Sequence, residues 1–298
     1  MKNFCGLVSI VGRPNVGKST ILNRLIEQKI SITSRKSQTT RNNILGIKTK
    51  DNHQMVFIDT PGVHINASKV MNKVLNQSAL GAIEDADLII FMLQRNKINT
   101  LDQLILERLK GVQTKKICVI NKLDQVASIN SLLPVIEKLG SENDFAVVIP
   151  VSAKTGKNIN ELENMICQNL PENNHLYDSD TKFLAKESFM ISEIIREKII
   201  RFLGEELPHE TYVQLQKLED KENIINIDAE IIVARESQKG IVVGKNGAKL
   251  KKIGEKARID LEKFFNKKVF LKTWVKTKKN WNNDSDFISS LGIGSLYD

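Results

Sequence analysis

One eight-residue stretch limits this 298-residue chain more than any other: Gly12-Arg13-Pro14-Asn15-Val16-Gly17-Lys18-Ser19. It follows the apolar run Leu7-Val8-Ser9-Ile10-Val11 and leads through Thr20 into Ile21-Leu22-Asn23-Arg24-Leu25. That order reads as strand, tight loop, helix. The spacing G-x-x-x-x-G-K-S is that of a phosphate-binding loop. Gly12 and Gly17 let the backbone bend until successive N–H groups point inward at a polyphosphate. The helix that follows adds its positive N-terminal end. Lys18 can reach the β- and γ-phosphates of a nucleotide, and the Ser19 hydroxyl can join the Mg²⁺ that bridges them.

Around this loop the first half alternates. Apolar β-type runs fall at Leu7–Val11, Met55–Ile58, Leu88–Leu93, Ile117–Ile120 and Ala146–Val151. Helical patterns lie between and after them, at Ser19–Glu27, Lys69–Ala82, Leu101–Leu109, Leu132–Leu139 and Asn160–Leu170. Strands alternating with helices predict an α/β fold, a doubly wound parallel sheet with helices on both faces. Ile44–Thr49 is expected to add one antiparallel strand beside Gln54–Ile58, across the turn at Asp51-Asn52. Ligands of such sheets sit at the carboxyl ends of the strands, so those loops should carry the remaining chemistry.

Asp59-Thr60-Pro61-Gly62 follows the strand ending at Ile58. An Asp there can hold Mg²⁺ through water, and the Gly62 N–H can touch a γ-phosphate. Asn121-Lys122-Leu123-Asp124 follows the strand ending at Ile120. Guanine presents an N1–H and an amino group side by side, and the Asp124 carboxylate can accept both, with Asn121 fixing the loop. Adenine would leave that carboxylate facing an acceptor, a mismatch that discriminates strongly. Ser152-Ala153-Lys154 follows Val151, placed to cover the base with backbone N–H groups.

This set, in this order, resembles the guanine-nucleotide domain of translation-factor-like GTPases. With Ile30-Ser31-Ile32-Thr33-Ser34-Arg35-Lys36-Ser37-Gln38-Thr39-Thr40-Arg41 included, it resembles the Era-like GTPase family. The resemblance implies that Gln38–Arg41 is an effector loop, in which Thr40 or its neighbour Thr39 closes on Mg²⁺ when the γ-phosphate is present. Ser19, Thr40 and Asp59 are then the metal set, and Lys18, Thr40 and Gly62 the candidate catalytic residues. Val63 stands where Ras-like enzymes carry the Gln that orients the attacking water, so slow intrinsic hydrolysis is expected. Asn15 occupies the place at which similar GTPases recruit K⁺, which makes K⁺ a candidate further cofactor beside GTP or GDP and Mg²⁺.

The polar stretch Pro171–Asp180 reads as a linker between a nucleotide domain, 1–170, and a second domain, 181–298. There Phe183–Leu203 has helical spacing, Thr211–Leu218 and Ile224–Ala234 look like strands, and a helix leads to Gly244-Lys245-Asn246-Gly247. A strong helix and a last strand at Val269–Val275 follow. That is the order of an α+β type II KH domain, whose Gly-x-x-Gly turn clamps an RNA backbone. Lys239 to Lys279 holds fourteen Lys and Arg against three acids, a surplus larger than the +9 of the whole chain. On the helix after the turn, Leu250, Ile253, Ala257, Leu261 and Phe264 form an apolar stripe. Lys249, Lys252, Lys256 and Lys263 form another, continuous with Lys245, which is either a solvated face or a phosphate track. Trp274, Trp281, Phe287, Ile288 and Leu291 near the end serve either packing or stacking on RNA bases.

A pI near 9.3 suits an anionic macromolecule without choosing between nucleic acid and an acidic membrane surface. Three cysteines, Cys5, Cys118 and Cys167, without C-x-x-C spacing read as small apolar residues in a reducing compartment. No run approaches the length of a membrane span and none reads as a signal peptide, so a cytoplasmic location is expected. The resemblance implies a monomeric GTP switch that binds the 3′ end of 16S rRNA and the 30S subunit during small-subunit maturation, with peripheral membrane contact compatible with it. Two rivals stand beside it: a constitutive RNA-binding protein whose nucleotide only stabilises the fold, and a membrane-surface GTPase.

Overall fold

A computed structural model describes residues 2–32, 44–62, 70–95, 97–203 and 210–291. The amino-terminal half runs β1 (Phe4–Val11), α1 (Lys18–Ile26), β2 (Ile44–Lys50), β3 (His53–Asp59), α2 (Val70–Glu84), β4 (Leu88–Gln94) and α3 (Thr100–Lys110). β5 (Lys115–Asn121), α4 (Leu133–Glu142), β6 (Val147–Pro150) and α5 (Ile159–Asn169) complete the alternation. The strands form one sheet in the order β6-β5-β4-β1-β3-β2-β7, where β7 is Phe183–Leu184. β1 pairs parallel with β3 and β4, and β2 pairs antiparallel with β3, so that Ile44 faces Asp59. β4 and β5 read as continuous apolar runs because helices cover both faces. One face packs Val8, Ile10 and Met55 against Ile21, Leu22 and Leu25 of α1 and Leu162 of α5. The other packs Ile89, Phe91 and Leu93 against Ile105 of α3 and Leu139 of α4.

One expectation differs here. The helical spacing from Phe183 does not give one helix over 183–203: Phe183 and Leu184 pair with Gly46 and Leu45 of β2, and α6 (Glu187–Phe202) starts only afterwards. The polar stretch 171–180 is tied along the sheet. The buried Gln54 side chain accepts from the N–H groups of Leu176 and Tyr177 and donates to the Tyr177 carbonyl at 2.7 Å. His175 bonds the Asn52 carbonyl oxygen at 3.2 Å.

The carboxy-terminal half is α6, β8 (Thr211–Asp220), β9 (Ile224–Val233), α7 (Glu236–Val243), α8 (Ala248–Phe265), β10 (Lys268–Thr277) and α9 (Ser285–Ser290). Its sheet has the order β10-β9-β8, with β9 antiparallel to β8 and parallel to β10. Ile227, Ala229 and Ile231 of β9 face Ile195 and Ile199 of α6 and Ile253, Ala257 and Leu261 of α8. Of the expected apolar stripe on α8, Leu250 lies at the margin, and Phe265 joins this core in place of Phe264.

Among the described residues the halves meet at three places, one of them Phe189 of α6 against the core of the first sheet. Met71 and Leu75 of α2 share an apolar cluster with Ile232, Ala234, Trp281 and Ile288. Beyond α1, the Lys29 ammonium lies 2.6 Å from Glu197 of α6 and 3.7 Å from Asp260 of α8. Trp281 is fully buried and donates its indole N–H to the Glu210 carbonyl at 3.0 Å, which assigns it to packing. No helix among the described residues is long and apolar enough to cross a membrane. Trp281→Ala should lower the unfolding free energy by about 3–5 kcal/mol in a urea titration of the full chain, because it empties the cluster that α2 and α9 share.

Candidate functional site

The phosphate loop leaves β1 at Val11 and enters α1 at Lys18. Its second glycine has no freedom to change. Gly17 has φ +105°, and a Cβ there would stand 2.2 Å from the Asn121 side-chain nitrogen. Asn15, exposed at the tip, also takes a left-handed backbone, with φ +67°. Lys18 is buried, and its ammonium donates to the carbonyls of Gly12 at 2.9 Å and Arg13 at 3.3 Å. Burial lowers its pKa to about 8; Asp59 opposes that shift and Arg13 adds to it. Arg13 turns away to Asp102, donating from Nε at 3.0 Å. Asp102 also closes the capping box at the start of α3, so the loop is moored to that helix. Burial pushes the Asp102 carboxyl up, while the Asn99 N–H and Arg13 pull it back.

Asp59 ends β3 fully buried. Its Oδ2 accepts from the Ser19 hydroxyl at 2.8 Å and from the Ser31 hydroxyl at 2.6 Å. Two hydroxyls and a carboxylate converging beside Lys18 are the hard oxygen donors that Mg²⁺ takes, so the residues present fit that ion. Ser31 was not among the candidates. Its place is set by Asn23 of α1, whose side-chain oxygen accepts from the N–H groups of Ile30 and Ser31 at 2.8 and 2.9 Å. Thr60 donates to the Ile10 carbonyl at 2.7 Å, locking the start of the next loop onto β1. Pro61 and Gly62 are buried, and a Cβ on Gly62 would meet Pro14 at 2.8 Å. Thr39, Thr40 and Val63 lie outside the described residues.

A second cluster forms where β5 and β6 end. Asn121 is buried; its side chain donates to the Val16 carbonyl at 2.7 Å and accepts from the Ala153 N–H at 3.0 Å. The Ser152 hydroxyl donates to Asp124 at 2.6 Å, holding one carboxylate oxygen of this exposed side chain. Lys122 bonds Gln94 at 3.0 Å, which draws its ammonium to the end of β4. Arg24 of α1, absent from the sequence candidates, donates to the carbonyls of Ala153 and Lys154 at 3.3 and 2.8 Å. Thr20 stands half-buried in the first turn of α1, and the Lys154 side chain is exposed. The described candidates of the first half thus form one continuous set.

The Gly244–Gly247 turn stands apart from it, between α7 and α8. Gly244 has φ +73°, and a Cβ there would stand 2.7 Å from that of Lys249. Asn246 and Gly247 are also left-handed, at φ +51° and +76°, and the turn leaves Lys245 and Asn246 exposed. Lys252, Lys256 and Lys263 are exposed along α8, whereas Lys249 is half-buried against the turn.

Two family models match the chain: one described as a 50S ribosome-binding GTPase over residues 7–122, the other as a KH domain over 206–282. The protein named GTPase Era from Haemophilus influenzae is 44% identical over 292 residues, covering 98% of this chain and 97% of the relative. Its namesake from Coxiella burnetii is 45% identical over 290 residues, covering 97% and 98%. Among solved structures, Era in complex with MgGDPNP and nucleotides 1506–1542 of 16S ribosomal RNA superposes with a TM-score of 0.94. It is 35% identical and covers 97% of this chain and 99% of that one. A variant of Aquifex aeolicus Era bound to GDP and AlF4⁻ gives 0.93 at 35% identity, over 98% and 99%.

The buried Lys18 ammonium sets a pH dependence. Phosphate oxygens bound against it would raise its pKa from about 8, so binding takes up a proton where the free site has lost one. Calorimetric titrations with GTP in two buffers of different ionisation enthalpy should show proton uptake near pH 8. Affinity should fall as pH rises above 8, by up to about tenfold per pH unit.

Proposed function

The chain belongs to the Era family of GTPases, and from that premise we propose that it is a GTP-hydrolysing switch acting on the 3′ end of 16S rRNA in assembly of the 30S subunit. The observation that carries this reading is the linkage through Asn121. One side chain joins the phosphate loop at Val16 to the Ser152-Ala153-Lys154 loop, beside an Asp124 carboxylate free at one oxygen to read guanine. Gly12 to Thr20 wrap the phosphates, with the loop N–H groups and Lys18 balancing their charge. Ser19 and Asp59, with Thr40 from outside the described residues, would hold Mg²⁺. When bound, that ion neutralises charge on the β- and γ-phosphate oxygens. Thr60 and Pro61 seat Gly62 so that its N–H meets the γ-phosphate. Lys122 supports the base loop through Gln94.

Hydrolysis is slow unaided, because Val63 brings no hydrogen-bonding group to the attacking water. K⁺ near Asn15 is the proposed charge-neutralising aid, and faster turnover in K⁺ than in Na⁺ is its mark. The proposed RNA contact is Gly244, Lys245, Asn246, Gly247, Lys249 and Lys252, a reading that the geometry of the turn and the charge of α8 support. The description of the family model over 7–122 names the large subunit. The full-length relatives weigh more, and one was solved with 16S RNA. The division into 1–170 and 181–298 belongs to the same proposal; the pairing of β7 with β2 favours a boundary a few residues later, before α6. A monomer in the cytoplasm suffices for this function.

The test is crosslinking of 16S RNA to the full chain with GTP, GDP or no nucleotide, beside equilibrium binding of GTP and ATP. GTP should be preferred over ATP and should change RNA capture, and Asp124→Ala should lower GTP affinity by about a hundredfold or more. Equal uptake of ATP, or RNA capture blind to the nucleotide, overturns the proposal. Binding to anionic vesicles in place of RNA would favour the membrane-surface reading.

A further inference from the structure

The Gly-x-x-Gly turn does not account for the other face of β10. Along this strand Val269, Leu271 and Val275 point into the core formed with α6 and α8. Period two then puts Lys268, Phe270, Lys272, Trp274 and Lys276 together on the opposite face. Phe270 is 57% exposed, the most exposed large apolar side chain among the described residues. Lys268, Lys272 and Lys276 are exposed around it, and the Lys272 ammonium lies 5.9 Å from the Trp274 ring centre. Among the described residues β10 has β9 as its sole neighbour in the sheet, so the row runs along the edge of the described sheet. The same sheet face is covered at its other end, where Tyr212 and Ile232 join the cluster of Trp281, Met71 and Leu75.

An exposed phenylalanine between lysines adds nothing to the core, so its use lies outside the chain. Lysine is depleted from protein–protein interfaces, which disfavours a protein partner. Alternating cations and aromatic rings on a strand are instead the chemistry of single-stranded nucleic acid, whose bases stack while its phosphates meet ammonium groups. The acids nearby narrow the track. Glu230 of β9 accepts from the Trp274 indole at 2.9 Å and lies 3.7 Å from Lys276. Asp228 pairs in register with Lys272. This acidic column on β9 pushes a polyanion outward, over the edge strand.

We propose that the Lys268-Phe270-Lys272 row of β10 is a second contact for single-stranded RNA, with one base stacked on Phe270 and the flanking phosphates met by Lys268 and Lys272. The inference rests on the RNA reading of the glycine turn. α7 and α8, which flank that turn, both pack against β10, so one strand of RNA can leave the turn and continue around the sheet edge.

The test uses the full chain with fluorescent RNA matching nucleotides 1506–1542 of 16S rRNA, and with the same RNA shortened from either end. Phe270→Ala should weaken binding of the longest RNA roughly tenfold, and Phe270→Tyr should restore it. Lys272→Ala should weaken binding and reduce the slope of log affinity against log salt by about one. Shortening the RNA from one end should erase both differences, and photocrosslinks should map to 268–274. Melting temperatures should not move, because these side chains are exposed. If Phe270→Ala binds within twofold of the parent while Lys245→Ala weakens binding, the β10 contact is refuted and the glycine turn stands. If the parent chain binds no RNA, both readings fall.

Discussion

The amino-terminal half depends on one buried amide. Asn121 donates to the Val16 carbonyl and accepts from the Ala153 N–H, so three loops from distant parts of the chain share a single side chain. Each of those backbone groups would otherwise be buried without a partner or exposed at the cost of the loop's shape. The contact also explains Gly17: any side chain at that position would occupy the space of the Asn121 amide. Phosphate loop and base loop are therefore one rigid object, and the distance between them is set before a nucleotide arrives. Preorganisation of this kind reduces the ordering cost that binding carries.

Two of the segments that link this object to the second half start beside the phosphate loop. Asp59 holds Ser31 by its hydroxyl, and Lys29, two residues earlier, reaches Glu197 and Asp260. Thr60, Pro61 and Gly62 lead toward α2, whose Met71 and Leu75 lie against Trp281 and Ile232. Glu197 is buried and receives Lys29, Lys198 and Arg201. Desolvating that many charges leaves little net stabilisation, yet losing one partner strands the rest. Such a network is better suited to selecting an orientation between halves than to holding them together; the apolar cluster supplies the adhesion. A change at the nucleotide would act on both joints at once.

What could be read from the sequence divides along a physical line. Gly12, Lys18, Asp59 and Asn121 were legible because phosphate and purine chemistry demands those residue types at those strand ends, whatever the surrounding fold. Ser31, Asn23 and Arg24 were not, because their roles arise from contacts across the fold, such as that of Arg24 with Ala153, 129 positions further along the chain. Phe183 and Leu184 illustrate the limit of periodicity: two apolar residues before a helix fit a helical stripe, and only the open edge of β2 makes them a strand. Likewise 171–180 has the composition of a linker, while one Gln54 amide, satisfied by three backbone groups, binds it to the sheet. On β10 a strand could be read from the sequence, but which of its two faces stayed open depended on where α6 and α8 settled.

The two halves carry their positive charge in opposite ways. At the phosphate loop one ammonium is buried and held by the carbonyls of Gly12 and Arg13, and burial lowers its pKa. A bound polyphosphate would meet that ammonium at short range, where salt screens little. Along α8 and β10 the ammonium groups are many and solvated, each contributing little alone, and their summed field reaches only about a Debye length. The first arrangement selects a ligand by shape and charge together and resists ionic strength. On the proposed reading, the second would gather a long polyanion quickly, release it as salt rises, and need the backbone turn at Gly244–Gly247 to fix its register. One chain can thus hold its nucleotide through conditions in which it exchanges its larger partner, which is the asymmetry a switch requires.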